Sequence, residues 1–280
     1  MKSRLGERVN VTPDPILDAA QRETFRREGY LVLEDFVSQA GLRTITQLVK
    51  GLLLHPAPVT DGMRFDYLAV DGATPEATSG GAPLMQQLLP FDYEPRLFET
   101  ELFVRGAHVG YDLLGEALLY RGSHYMEKPA GVGPATPWHQ DDAFWEPKHH
   151  HEAIAIWLPL EGATAESGCM RFVGGSHTED ALLPHRHIGG DRRVHGLEIA
   201  DAWIDERSVE TCPLRPGGVT VHHCRIVHGS GPNVSNAPRR ALVLNFEAPP
   251  TLLATPRDVP WQNTTAETAR LRDEKGIELP

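Results

Sequence analysis

The sequence predicts an antiparallel β sandwich or barrel preceded by helices. Three observations predict it. Apolar residues before Glu116 recur at helical spacing. Residues after it break into seven short runs of β character. Turn signals, and no helical segments, separate those runs.

The elements follow in order. Thr12-Pro13-Asp14-Pro15 opens a helix that runs to Arg27, with Gly29 as its stop. Tyr30-Leu31-Val32-Leu33 reads as a short strand. Ser38 caps a second helix carrying Leu42, Ile45, Leu48, Val49 and Leu52 on one face. Residues 55–92 are rich in Pro, Gly and Ala and lack periodicity, so they read as a long irregular excursion able to act as a lid or binding loop. Glu94 to Leu114 is helical, with a break near Gly106.

The strands are Ala117–Glu127, Pro137–Trp145, Ala153–Leu160, Cys169–Val173, Val209–Leu214, Val219–Cys224 and Arg240–Glu247. Turns fall at 129–134, Glu161-Gly162, Gly174-Gly175 and Pro216-Gly217-Gly218. The polar span Ala181–Arg207 reads as an insertion. No repeat or low-complexity tract is present. The organisation is one domain over 1–280: a mainly helical part (1–115) with the loop 55–92, a β core (116–250) with the insertion 181–207, and a C-terminal tail (251–280).

Composition excludes several classes. With 280 residues the chain can bury a sizeable core. A net charge of −11 argues against a broad nucleic-acid or anionic-membrane footprint. Three cysteines without a Cys-x-x-Cys pair argue against a disulfide framework and a thiolate zinc site. No apolar signal region or run of transmembrane length stands out, so a reducing cytoplasm is the expected location.

The chemistry concentrates at Trp138-His139-Gln140-Asp141-Asp142-Ala143-Phe144-Trp145. On an extended strand, His139 and Asp141 point to one side. They are two thirds of the 2-His-1-carboxylate set that holds non-haem Fe(II). The 14 His and 38 Asp+Glu predict roughly two His-x-acid pairs by chance. The chain has three, the others being His150/Glu152, in a polar corner, and His177/Glu179, after a turn. Taken alone, the first pair is equally consistent with a surface polar pair. Further along, the segment from His228 to Arg239 offers a second imidazole and, eleven residues on, a cation in an apolar strand.

Several motifs together resemble the phytanoyl-CoA dioxygenase-like family of Fe(II)/2-oxoglutarate oxygenases. They are His139-Gln140-Asp141 followed by aromatics, Ala155-Ile156-Trp157-Leu158-Pro159-Leu160, Glu166-Ser167-Gly168-Cys169-Met170, Gly174-Gly175-Ser176-His177, Pro216-Gly217-Gly218, and His228 through Arg239. Gly29-Tyr30-Leu31-Val32 fits the family's opening, and the resemblance spans about residues 20–250. It implies a mainly β fold with flanking helices around a double-stranded β-helix, the cupin-like jelly roll. It implies that His139, Asp141 and His228 bind the metal, leaving positions for 2-oxoglutarate and O2. Arg239 matches the residue gripping the distal carboxylate of 2-oxoglutarate, and the adjacent Arg240 points to the other face. Ser230 and Trp157 match residues beside that cosubstrate. His124 matches a further contact loosely, and a satisfied buried imidazole is its plainer reading.

Other histidines compete for the third ligand position. One of His222 and His223 faces the core, but the Gly-Ser after His228 and the spacing to Arg239 favour His228. His177 reads as a turn residue bonded to backbone, and His108, His185, His187 and His195 as surface.

The resemblance implies hydroxylation, or another oxidation, of an unactivated C–H bond in a small metabolite, with a lean towards secondary metabolism. Because Asp141 is present, halogenation is disfavoured. No nucleic-acid or membrane partner is expected, and oligomeric state is not readable. Two alternatives stand beside this: a cupin-type metalloenzyme without 2-oxoglutarate, and a non-catalytic β-barrel binding protein. Phe65, Tyr67, Phe91, Tyr93, Phe144 and Trp145 read either as an aromatic substrate pocket or as loop anchors.

Overall fold

The computed structural model describes residues 3–12, 14–54, 63–69, 83–179 and 181–263. The described residues hold four α-helices: α1 (Ala19–Glu28), α2 (Gln39–Leu54), α3 (Pro90–Tyr93) and α4 (Glu101–Leu114). The strands are β1 (Tyr30–Leu33), β2 (Arg64–Asp66), β3 (Met85–Leu88), β4 (Leu119–Lys128), β5 (Thr136–His139), β6 (His149–His150), β7 (Ala153–Pro159) and β8 (Met170–Val173). They continue as β9 (His185–His187), β10 (Leu197–Ile199), β11 (Val209–Cys212), β12 (Val219–His223), β13 (His228–Ser230), β14 (Arg239–Glu247) and β15 (Thr251–Leu252).

Two sheets carry the site. The larger has the order β1-β12-β7-β14-β4-β3-β2, and the smaller β11-β8-β13-β5. Every strand pair in them is antiparallel. From β4 onward the chain crosses repeatedly between the two sheets, with β4, β7, β12 and β14 in the larger and β5, β8, β11 and β13 in the smaller, which is the jelly-roll pattern and fits the expected mainly β fold. The two faces of β7 show why the layers form. Ala155 and Trp157 pack inward with Met170, Phe172 and Val243. Ile154, Ile156 and Leu158 pack outward beneath the helices, with Leu102, Leu244 and Phe246. All seven β7 residues are buried, so the strand is continuously apolar rather than alternating.

The helices cover the outer face of the larger sheet. Leu42, Ile45, Leu48, Val49 and Leu52 of α2 are all buried, as their spacing predicts. The Ser38 Oγ accepts the Gly41 N–H at 3.0 Å and caps that helix. The helix expected from residue 12 begins later, at the Asp18/Gln21 capping box. The preceding backbone is held elsewhere: the Ile16 and Leu17 N–H groups donate to Asp112 Oδ2 at 2.9 and 2.8 Å. Gly29 ends α1 at φ 80°, where a left-handed residue is needed.

The expected break near Gly106 lies instead at Thr100, between a 3-10 turn over Pro95–Glu99 and α4. Gly106 has another task. A Cβ there would sit 3.0 Å from Ile156 Cδ1 and 3.2 Å from Leu244 Cδ2, so the glycine lets α4 lie close on the sheet.

Part of the segment 55–92 is regular: β2 and β3 extend the larger sheet beside β4, and α3 follows β3. The Asp66 Oδ1 drives this local order by accepting the Leu68 and Leu84 N–H groups. Residues 55–62 and 70–82 of that segment, and 264–280 of the tail, lie outside the described residues. Within 251–263 the chain adds β15, and Trp261 packs on Ala143, Leu197 and Val259. The span 181–207 contains the β9–β10 hairpin, with Leu197 and Ile199 buried. No helix among the described residues is long and apolar enough to cross a membrane.

Candidate active site

The strand expected over Pro137–Trp145 ends at His139. Gln140 stays extended (φ −121°, ψ 130°), and Asp141 begins a 3-10 turn, Asp141–Phe144. The same-side geometry of His139 and Asp141 therefore survives only because Gln140 is pinned. Its Nε2 donates to the Arg225 carbonyl at 2.6 Å, its Oε1 accepts the Leu183 N–H at 2.8 Å, and its own N–H donates to His185 Nε2 at 3.0 Å. The turn aims Asp141 back towards β13, where His228 stands opposite His139 in register.

The three side chains converge. One donor atom from each of His139, Asp141 and His228 lies within 4.8 Å of the others. Asp141 Oδ1 is 3.7 Å from His139 Nε2 and 3.6 Å from His228 Nε2. These spacings are too long for hydrogen bonds, and one ion can touch all three atoms. The Nδ1–H of His139 donates to the Pro137 carbonyl at 2.8 Å, and that of His228 to the Ile226 carbonyl at 3.0 Å. Carbonyls only accept, so the proton resides on Nδ1 and each Nε2 presents a lone pair to the centre. Burial lowers the pKa of both imidazoles. Burial alone would raise Asp141, but His228, His222 and His139 around it hold the carboxyl far below the usual range. Two neutral imidazoles and one carboxylate suit a ferrous ion.

A cavity of about 670 Å³ opens on this centre. Arg239, Ser230, Trp157 and His124 line it. Arg239 is 3% exposed, its Nε and Nη1 have no hydrogen-bond partner among the described residues, and its guanidinium carbon lies 5.4 Å from the Trp157 ring centre. Burial lowers its pKa to about 10, so it remains a cation. A buried cation with unmet donors fits a carboxylate arriving with a ligand. Arg240 projects to the opposite face, where it pairs with Glu161. His124 opens on the cavity, and burial pushes its pKa down to about 4.

Several readings need correction. His185 and His187 are buried, not surface, and bond to backbone atoms of Leu183, Val194 and Trp261. His195 lines the cavity in ring contact with Phe65, Tyr67 and Phe144. His108 is half-buried, with its Nδ1 3.1 Å from the Asp14 carbonyl. His151, in the supposed polar corner, is 4% exposed and also lines the cavity. Of the six aromatics, Tyr67, Phe144 and Trp145 line the cavity. Phe65 and Phe91 are buried in the core, and Tyr93 packs beside Met63 and Leu89.

The sequence weighed His222 only as a rival ligand. In the structure its Nε2 lies 3.5 Å from Asp141 Oδ2, while the adjacent His223 turns away to Glu152 at 3.0 Å. Strand alternation in β12 decided that one of the pair faces the core; which one required the sheet register. Arg121 and Glu247, which also line the cavity, carried no sequence signal.

Comparison with known proteins gives a consistent result. The family model described as Phytanoyl-CoA dioxygenase (PhyH) matches residues 25–241. The solved structure of EvdO2 from Micromonospora carbonacea var. aurantiaca, complexed with 2-oxoglutarate, is 32% identical, covers 91% of this chain and 98% of its own, and superposes with a TM-score of 0.71. The ectoine dioxygenase of Sphingopyxis alaskensis is 26% identical, over 95% of this chain and 89% of that protein. The L-proline trans-4-hydroxylase of Streptomyces griseoviridis is 28% identical, over 83% of this chain and 86% of that protein.

Proposed function

The chain belongs to the phytanoyl-CoA dioxygenase family and is an Fe(II)- and 2-oxoglutarate-dependent dioxygenase of a small-molecule substrate, and we propose that His139, Asp141 and His228 hold its iron and Arg239 its 2-oxoglutarate. The observation that carries this assignment is the buried Arg239, with unmet donors, in the same cavity as three converging ligand atoms. A metalloenzyme that does without 2-oxoglutarate has no use for such a cation.

When bound, the ferrous ion and 2-oxoglutarate supply the oxidation, with O2 consumed, succinate and CO2 released and a substrate C–H bond oxidised. The residues of the chain prepare for that event. Pro137 and Ile226 carbonyls hold the tautomers of His139 and His228, so neither ring must lose a proton to ligate. Asp141 adds one negative charge and takes up the position a halide ion would need. Arg239 orients the diacid with its planar fork. Trp157 lies beside that guanidinium and Ser230 offers a hydroxyl nearby.

The substrate reading is a small metabolite oxidised at an unactivated carbon, by hydroxylation or a related outcome. Solved relatives from nogalamycin biosynthesis, at 22% and 19% identity, share the fold. The buried, unpaired Cys169, Cys212 and Cys224 support a reducing cytoplasm, and the net charge of −11 supports the lack of a nucleic-acid or anionic-membrane partner.

Anaerobic addition of Fe(II) and 2-oxoglutarate should give a weak visible charge-transfer band. His139→Ala, Asp141→Ala and His228→Ala should each lose it. A wild-type protein without the band refutes the assignment.

A further inference from the structure

β14 runs the length of the cavity. Arg239, Val243, Asn245 and Glu247 all line it from this one strand. Glu247 lies eight positions beyond Arg239, roughly 26 Å of extended chain, several times the length of a five-carbon diacid. The Glu247 end is therefore left for the substrate.

A β-bulge shapes that end. The β14–β4 register passes from Asn245↔Gly122 to Phe246↔Tyr120, leaving Arg121 without a partner in the ladder. The extra residue reverses the alternation, so Tyr120 packs under the helices while Arg121 lines the cavity. Arg121 is 3% exposed. Its Nη1 donates to the Glu247 carboxylate and lies 3.5 Å from His151 Nδ1. Its guanidinium carbon sits 3.5 Å from the ring centre of Trp145. Its Nε and Nη2 have no hydrogen-bond partner among the described residues. Those two nitrogens share one edge of the planar fork. A buried donor left unmet is costly, and a purely structural ion pair has no reason to bear that cost.

Charge selects the ligand. Glu247 already neutralises Arg121. A carboxylate or phosphate at the free edge would meet Glu247, and an ammonium would meet Arg121. Uncharged oxygens accept from the free edge without either conflict, and Asn245 adds an amide beside them. Resting on the oxygenase assignment above, we propose that the Arg121–Glu247 end of the cavity is a subsite for an uncharged, oxygen-rich part of the substrate, of the diol or polyol class.

The test is anaerobic calorimetry on the Fe(II)–2-oxoglutarate complex with three ring probes of similar size: methyl glucoside, cyclohexanecarboxylate and cyclohexylammonium. Methyl glucoside should bind the wild type best. Glu247→Gln uncovers the Arg121 charge and should shift preference towards cyclohexanecarboxylate by about tenfold or more. Should that variant fold poorly, the neutral pair Arg121→Met/Glu247→Met should still show the visible band and lose methyl glucoside binding. Undetectable methyl glucoside binding, a charged probe binding the wild type best, or an unchanged ranking in Glu247→Gln overturns the subsite. The band separates the two levels: its absence in the wild type sinks the oxygenase assignment, whereas a normal band with the wrong probe ranking sinks only the subsite.

Discussion

Nε2 of His222 lies 3.5 Å from Oδ2 of Asp141, while Oδ1 of the same carboxylate faces His139 and His228. The Nε2 edge of His222 faces Oδ2 at the outer limit of hydrogen-bond reach, and its Nδ1 is left without a partner among the described residues. The imidazole thus turns one oxygen away and leaves the other for a metal. His222→Phe should weaken Fe(II) binding about 10- to 100-fold, and His222→Gln, which keeps an N–H donor, should recover part of the loss. Anaerobic competition with a chelator measures both. Unaltered affinity in His222→Phe would make the contact incidental.

Arg239 and Arg240 are neighbours with opposite fates. Arg239→Ala should raise the 2-oxoglutarate KM by about a hundredfold or more, because hydrogen bonds to a charged group contribute about 1.5–3 kcal/mol each. Arg239→Lys should recover little, since a point charge replaces a fork. Arg240→Ala, which removes only the pair with Glu161 on the outer face, should leave that KM within about twofold. Succinate release against 2-oxoglutarate concentration distinguishes the variants, and equal effects would refute the assignment of Arg239.

Acid should destabilise the fold through His185. Its Nε2 accepts the Gln140 N–H at 3.0 Å and its Nδ1–H donates to the Leu183 carbonyl at 2.7 Å, so protonation would set one N–H against another. Burial pushes its pKa down from 6.5 to about 4. Between those values the unfolded chain binds a proton that the folded chain refuses. Stability is therefore intact above pH 6.5 and falls with pH until about 4, by on the order of 3 kcal/mol. His185→Gln should flatten the Tm profile in that window. Parallel profiles for variant and wild type would remove His185 as the cause.

Two helical glycines should respond oppositely. Gly51 in α2 is exposed, and a Cβ there meets nothing within 4 Å. Gly51→Ala should stabilise by about 1 kcal/mol through helix propensity. Gly106→Val forces side-chain atoms into Ile156, Leu244 and Phe246 and should destabilise by about 2 kcal/mol. Urea unfolding midpoints with unchanged m-values would establish both.

Much of the fold was legible because its signals are local. The run Ala153–Leu160 announced a strand, and Gly29 announced a helix stop. Local signals also misled. Residues 55–92 read as irregular because β2 and β3 are too short to show a period; they exist as strands by pairing to each other and to β4. His185 and His195 read as surface because their neighbours are polar. The β9–β10 hairpin buries His185, and its connection carries His195 to the cavity wall, which sequence neighbours do not report.

By itself, the sequence determined the residue types and their order: an imidazole and a carboxylate two apart, a second imidazole far downstream and an arginine eleven residues beyond it. Only the tertiary structure decided that β13 lies against β5, that the turn at Asp141 swings one oxygen towards both rings, and that His222 rather than His223 faces that turn. It also decided that a single extra residue in β4 aims Arg121 inward. The reason is physical. Alternation along a strand fixes which side chains share a face, but register between strands and one-residue bulges depend on packing across the whole sheet, where a slip of one position exchanges the inner and outer faces.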